Sequence, residues 1–173
     1  MCDKSEFGLS LSRRLAEWRR RGAAPALLMM RIDDFANLSE RYGQAISEIV
    51  LRSAMQFLTA SIRSMDLGSE YGPATYTMLL PGASSTELIR VAERLRQAVA
   101  RCVLPIAGQS VHFTVSLSAT VAMQTDTTEQ MLARVEAALN QATSAGGNCT
   151  YFHSGEKAEL AVAMLERMRT AAV

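Results

Sequence analysis

The sequence predicts an α/β sandwich in which a central mixed sheet is flanked by helices. Its 173 residues, 49% of them hydrophobic, suit one globular domain with a substantial core. Along the chain, stretches with apolar residues every three or four positions alternate with short β-rich runs, which favours mixed helices and strands. Residues 26–32 form an apolar run that is interrupted only by Arg31 and closed by charge, as expected of a strand covered on both faces. We expect this strand to be the central one.

The first half of the chain predicts two helices and a hairpin around that strand. Helical spacing of apolar residues runs over 7–18, with a stop at Gly22, and again over 46–64. Residues 66–71 and 75–80 alternate as two strands, and the Gly72-Pro73-Ala74 segment between them favours a turn. The predicted order is therefore helix, strand, helix, hairpin.

The second half continues with helices whose ends carry recognisable signals. Ser84 and Glu87 have capping-box spacing at the start of one helix, and Gly146-Gly147 can end another. We predict strands at 103–106, 111–113, 115–122 and 149–152, and a helix at 128–143. We divide the chain into a domain over 1–153 and a C-terminal amphipathic helix over 154–173.

Charge and cysteine content exclude several classes of function. Eighteen basic and 17 acidic side chains give a net charge of +1, which disfavours nucleic acid or an anionic membrane as partner. The longest apolar run, 23–30, is too short to span a bilayer, so we expect a cytoplasmic protein with no membrane contact. Cys2, Cys102 and Cys149 fit neither a disulfide framework nor a zinc site and are expected to be free thiols.

Three segments carry a resemblance to a known family. They are Met30-Arg31-Ile32-Asp33-Asp34-Phe35 with Tyr42-Gly43-Gln44, Arg63-Ser64-Met65-Asp66 through Tyr71-Gly72 to Leu79-Leu80-Pro81, and Ala138-Leu139 through Gly146-Gly147-Asn148. Together they resemble the GGDEF family of diguanylate cyclases, whose blocks are approximately D-I-D-x-F-K with Y-G-H, R-x-x-D through Y-G-G-D/E-E-F to L-P, and A-L-Y-x-A-K-x-x-G-R-N. The resemblance covers about residues 7–152 and implies a nucleotide-cyclase-like, ferredoxin-like fold.

The same resemblance predicts that the chain is not an enzyme. An active cyclase holds the GTP triphosphate through carboxylate-bound Mg²⁺, and Arg31 stands where the family has one of those carboxylates. Gly72-Pro73-Ala74-Thr75-Tyr76 aligns with the signature, so Ala74 and Thr75 replace its acidic pair. The family's guanine-reading and phosphate-binding positions align with Ser39, Glu48, Thr143 and Gly147. We therefore expect a degenerate domain with no metal, no cofactor and no catalytic residues, in which Asp33 and Asp34 have surface or helix-capping roles.

A second set of family residues is retained. Arg63-Ser64-Met65-Asp66 matches the R-x-x-D inhibitory site, and Arg94 aligns with a further arginine that the family uses there to bind cyclic di-GMP. An arginine fork suits phosphate oxygens or guanine acceptors, and a carboxylate suits guanine N–H donors. The alternative is a chance pattern, in which Arg63 and Asp66 form a surface salt bridge worth under about 1 kcal/mol.

Two functional hypotheses follow. In the first, the chain is a catalytically inactive receptor that binds cyclic di-GMP at Arg63, Asp66 and Arg94 and signals by contact with an unidentified protein partner. In the second, it is a nucleotide-independent interaction module, which could dimerise through its terminal helices, with R-x-x-D as a relic. Residual cyclase activity is the least favoured possibility.

Overall fold

A computed structural model describes residues 1–170 of the chain. In chain order, its elements are α1 (Lys4–Arg19), β1 (Pro25–Ile32), α2 (Phe35–Tyr42), α3 (Gln44–Ser61), β2 (Leu67–Gly72), β3 (Thr75–Pro81), α4 (Ser85–Ala100), β4 (Leu104–Ile106), β5 (Gln109–Val111), β6 (Val115–Val121), α5 (Thr128–Ser144), β7 (Thr150–His153), β8 (Ala158–Leu160) and α6 (Ala161–Thr170). Across residues 1–170, each helix is too short or too polar to cross a bilayer.

Six strands form one mixed sheet in the order β2-β3-β1-β6-β7-β8. Strand β1 lies between β3 and β6 and pairs antiparallel with both, while β6 and β7 pair in parallel. The apolar run therefore forms a central strand, as predicted. Strands β4 and β5 make a separate two-stranded sheet.

The two faces of the sheet carry two hydrophobic clusters. Because successive side chains of a strand point to opposite faces, Leu28 and Met30 of β1 pack in one cluster and Leu27 and Met29 in the other. The first cluster includes buried residues of α2, α3 and α4, and the second includes buried residues of α1 and α5. This is the predicted α/β sandwich.

One element was missed and two local predictions were wrong. Helix α2 was not predicted, since it has eight residues and Leu38 is the buried one among them. Strand β5 ends at Val111 rather than beginning there, because Ala107 and Gly108 both adopt positive φ and form the turn before it. The predicted helix over 154–173 begins at Ala161, because residues 158–160 pair with β7 as β8; residues 171–173 lie outside the described part.

Candidate functional site

The three residues predicted to bind a ligand line one cleft of about 330 Å³, here called the Arg63 cleft. It lies between the end of α3, the turn before β2, the end of β3 and one face of α4. Its lining consists of Ala60, Ser61, Ile62, Arg63, Asp66, Leu80, Pro81, Ala83, Glu87, Leu88, Val91 and Arg94. The fold thus brings Arg94 of α4 to the same cleft as the R-x-x-D turn.

Asp66 shapes the turn that presents Arg63. Its Oδ2 accepts a hydrogen bond from the backbone N–H of Arg63 at 2.6 Å, and its own N–H donates to the Arg63 carbonyl at 3.1 Å. Within residues 1–170, the Arg63 guanidinium forms no ion pair with Asp66, so the surface salt bridge of the alternative interpretation is absent from the described contacts. Asp66 orients the turn while Arg63 stays exposed.

Helix α4 supplies the opposite wall of the cleft. Ser84 and Glu87 form the predicted capping box at its start. Glu87, Val91 and Arg94 follow at four and three residues, which places them along one face of the helix. The sequence predicted Glu87 only as part of the capping box and not as a lining residue of the cleft. Its spacing of seven residues from Arg94 indicates the same face of the helix and could have predicted this position.

The Glu87 carboxylate is held in its ionised form. Its Oε2 accepts hydrogen bonds from the Ser84 N–H at 2.9 Å and the Ser84 hydroxyl at 2.8 Å. These bonds lower the pKa of Glu87, and the nearby charges of Arg63 and Arg90 lower it further. The Arg63 cleft therefore contains two guanidiniums and two carboxylates.

A second depression, here called the strand-end cleft, lies where β1 meets the hairpin turn and the loop after α5. Its volume is about 560 Å³, and it is lined by Arg31, Ile32, Asp33, Asp34, Phe35, Ala36, Pro73, Ala74, Thr143, Gly146 and Gly147. It thus gathers several positions that the family resemblance assigns to GTP and its metal. Ser39 and Glu48 are not among its lining residues, and Glu48 instead accepts a hydrogen bond from Gln44 at 3.1 Å.

Arg31 joins three elements across this cleft. Its Nε donates to Thr75 Oγ1 at 3.2 Å on β3, and its Nη1 donates to Asn140 Oδ1 at 3.1 Å on α5. Thr75 also donates to the Pro73 carbonyl at 3.0 Å, which ties the same group to the hairpin turn. The half-buried guanidinium therefore cross-links β1, β3 and α5.

Asp33 is committed to hydrogen bonds inside the protein. Its Oδ1 accepts from the Ser116 hydroxyl at 2.6 Å, and its Oδ2 accepts from the Thr114 hydroxyl at 2.7 Å and the Asn148 N–H at 2.8 Å. Asp34 occupies the N-cap of α2 with φ of 51° but makes no side-chain capping bond. The expected surface or helix-capping role is therefore confirmed for Asp34, which is exposed at the N-cap position, and wrong for Asp33, which is half-buried and bonds to groups of other elements.

The residues of the strand-end cleft do not fit Mg²⁺. A magnesium site needs oxygen ligands free to point at the ion, whereas both Asp33 oxygens accept hydrogen bonds within the protein. Asp34 is the other carboxylate of the cleft lining, its Oδ1 accepts from Asn37, and the Arg31 guanidinium lies in the same cleft. A unit positive charge 4 Å from a divalent cation is repelled by about 8 kcal/mol at an effective dielectric of 20. In the described chain, no group of three or more His, Cys, Asp or Glu side chains could hold a metal.

Comparison with known proteins identifies similar sequences and folds. A family model described as diguanylate cyclase, GGDEF domain, matches residues 2–149. Diguanylate cyclase A of Treponema denticola is 26% identical over 124 residues, which cover 71% of this chain and 33% of that protein. The response regulator PleD of Caulobacter vibrioides is 30% identical over 131 residues, which cover 73% of this chain and 29% of PleD. The chain thus spans about a third of the length of these curated relatives.

A solved structure shows the same fold. The GGDEF domain of DgcB from Caulobacter crescentus, crystallised in complex with c-di-GMP, aligns with a TM-score of 0.85 and 19% sequence identity, and the alignment covers 90% of each chain. At this identity, the likeness establishes the shared architecture of sheet and helices.

Proposed function

The chain belongs to the GGDEF domain family, and we propose that it is a catalytically inactive member that binds cyclic di-GMP in the Arg63 cleft. In this proposal Arg63 and Arg94 bind the phosphates or guanine acceptors of the ligand, and Asp66 accepts from guanine N–H groups. Occupancy of the cleft is then transmitted to a protein partner by direct contact.

The observation that carries this proposal is the convergence of Arg63, Asp66 and Arg94 on one cleft. Both arginines are exposed, and within residues 1–170 neither guanidinium makes a hydrogen bond or an ion pair. By contrast, Arg31, Arg96 and Arg134 each bond to protein groups. Two exposed guanidiniums that line one cleft without an internal hydrogen bond keep their N–H donors available for the oxygens of an anionic ligand.

The proposed inactivity is supported by the chemistry of the strand-end cleft. Phosphoryl transfer from GTP depends on a metal that neutralises the charge developing on the phosphates. Here the Arg31 guanidinium is held in the cleft by hydrogen bonds to Thr75 and Asn140. Both carboxylate oxygens of Asp33 accept hydrogen bonds from the protein. Metal, guanine and phosphate contacts would all have to be rebuilt before GTP could react.

Alanine variants of the cleft test the binding proposal. We expect Arg63→Ala and Arg94→Ala each to weaken cyclic di-GMP binding by roughly 10- to 100-fold, because each removes charge-assisted hydrogen bonds. Binding would be measured by equilibrium dialysis with labelled cyclic di-GMP. Arg101→Ala is the matched control, since Arg101 is exposed at the end of the same helix and does not line the cleft.

Three outcomes would contradict the proposal. Equal cyclic di-GMP affinity in the wild type and in Arg63→Ala would refute the assignment of binding to the Arg63 cleft. Conversion of GTP to cyclic di-GMP in the presence of Mg²⁺ or Mn²⁺ would refute the inactivity. If a protein partner bound unchanged to the Arg63→Ala, Asp66→Ala double variant with and without nucleotide, the interaction-module hypothesis would replace the receptor hypothesis.

A further inference from the structure

The Arg63 cleft contains an acidic group that the retained motif does not account for. Glu87 lines the cleft together with Arg63, Asp66 and Arg94, so the lining has two positive and two negative side chains. A site built only for phosphate would not place a second carboxylate beside its arginines, because that carboxylate repels the phosphate. A ligand that offers both anionic oxygens and N–H donors suits such a lining better.

The Glu87 carboxylate is also fixed in position. The reciprocal bonds of the capping box hold Oε2 against the N–H and the hydroxyl of Ser84. Within residues 1–170, the hydrogen bonds that the Glu87 side chain accepts both end on Oε2, so its Oε1 can accept from another donor. Asp66 has a similar arrangement, since its Oδ2 accepts from the Arg63 N–H within the turn. Both carboxylates are therefore oriented acceptors whose side-chain freedom is already restricted.

We propose that Glu87 is a second guanine-reading residue of the Arg63 cleft and a determinant of its base specificity. This inference rests on the proposed function. Cyclic di-GMP carries two phosphates and two guanines, and the cleft offers two guanidiniums and two carboxylates to match them. A guanine presents ring and exocyclic N–H donors to a carboxylate, whereas adenine lacks that pair of donors on the same edge.

The substitution Glu87→Gln tests this role without removing the helix cap. Helix α5 begins with a capping box formed by Thr127 and Gln130, so glutamine makes the same reciprocal bonds in this chain. Unchanged thermal unfolding of Glu87→Gln would verify that the cap is kept. Glu40→Gln is the matched control, because Glu40 is an exposed carboxylate on α2 outside the cleft.

The experiment measures binding of cyclic di-GMP and of cyclic di-AMP to the wild type and to both variants. We expect Glu87→Gln to bind cyclic di-GMP roughly 10-fold more weakly and to discriminate less between the two dinucleotides, while Glu40→Gln behaves as the wild type. If the wild type binds cyclic di-GMP and Glu87→Gln binds it equally well or more tightly, the role of Glu87 is refuted and the proposed function stands. If the wild type does not bind cyclic di-GMP, the role of Glu87 and the proposed function are both refuted.

Discussion

At the scale of single residues, Gly147 determines how closely the loop after α5 approaches Asp33. Gly147 has a φ of 74°, and a Cβ built there would lie 2.9 Å from Asp33 Cγ. The close approach lets the next residue, Asn148, donate its N–H to Asp33. The family resemblance places an arginine at position 147, so the absence of a side chain here also changes the wall of the strand-end cleft.

This contact predicts the effect of adding one methyl group. We expect Gly147→Ala to lower the free energy of unfolding by about 1–3 kcal/mol, because it combines a left-handed backbone with a steric conflict. Urea unfolding would measure the change. Gly8→Ala is the control, since Gly8 lies inside α1 with nothing within 4 Å of an added Cβ, and there we expect a gain of about 0.5–1 kcal/mol. A Gly147→Ala variant as stable as the wild type would show that Asp33 is not held against this loop.

The sequence was informative about which residues form the candidate site and less informative about their partners. Arg63, Asp66 and Arg94 do share a cleft, although their role in binding stays a prediction. Hydrogen bonds between residues far apart in sequence were not predictable. Arg96 of α4, for example, donates to the Asn148 side chain at 2.8 Å, although the two residues are 52 positions apart.

At the scale of elements, the hairpin of β7 and β8 contains a histidine that favours its neutral form. His153 Nδ1 accepts a hydrogen bond from the Gly155 N–H at 3.1 Å, which requires an unprotonated nitrogen. Burial lowers the pKa of His153, and the positive charge of Arg134 lowers it further. The folded chain therefore binds this proton less readily than the unfolded chain does.

A pH dependence of stability follows from this pKa. Because the unfolded histidine takes up a proton near pH 6.5, the stabilising contribution is present above about pH 6.5 and is lost as the pH falls below it. We expect the wild type to exceed His153→Gln in stability by a larger margin at pH 8 than at pH 5.5. Urea unfolding of both proteins at the two pH values measures this margin, and a pH-independent margin would contradict the expectation.

Elements with strong local signals were the predictable ones. Helix α4 follows the predicted capping box of Ser84 and Glu87, and α5 begins at Thr128, where the predicted helix over 128–143 begins. Helix α2 and strand β8 escaped prediction because each is short and depends on tertiary contacts. Strand β8 has three residues and is defined by its pairing with β7, a contact that no local pattern in residues 158–160 indicates.

At the scale of the whole molecule, the apolar run over residues 26–32 was enough to predict a central strand covered on both faces. The central strand sends Leu28 and Leu27 into opposite clusters, and helices cover both faces of the sheet. The division between residues 1–153 and 154–173 stays a prediction, although β8 pairs with β7 in the sheet and Ala161 at the start of α6 is fully buried.

The arrangement of the two clefts supports our proposal that the chain binds cyclic di-GMP but does not synthesise it. The strand-end cleft contains a built-in guanidinium and a carboxylate already used internally, while the Arg63 cleft keeps two arginines without internal partners. These are separate surfaces with separate lining residues. Under the proposed function, loss of catalysis at one cleft is therefore compatible with ligand binding at the other.

Isothermal titration of the purified wild-type chain with cyclic di-GMP tests this claim most directly. We predict saturable binding with a Kd below about 10 μM, an affinity useful for signalling. The absence of binding at cyclic di-GMP concentrations of ~100 μM would contradict the claim.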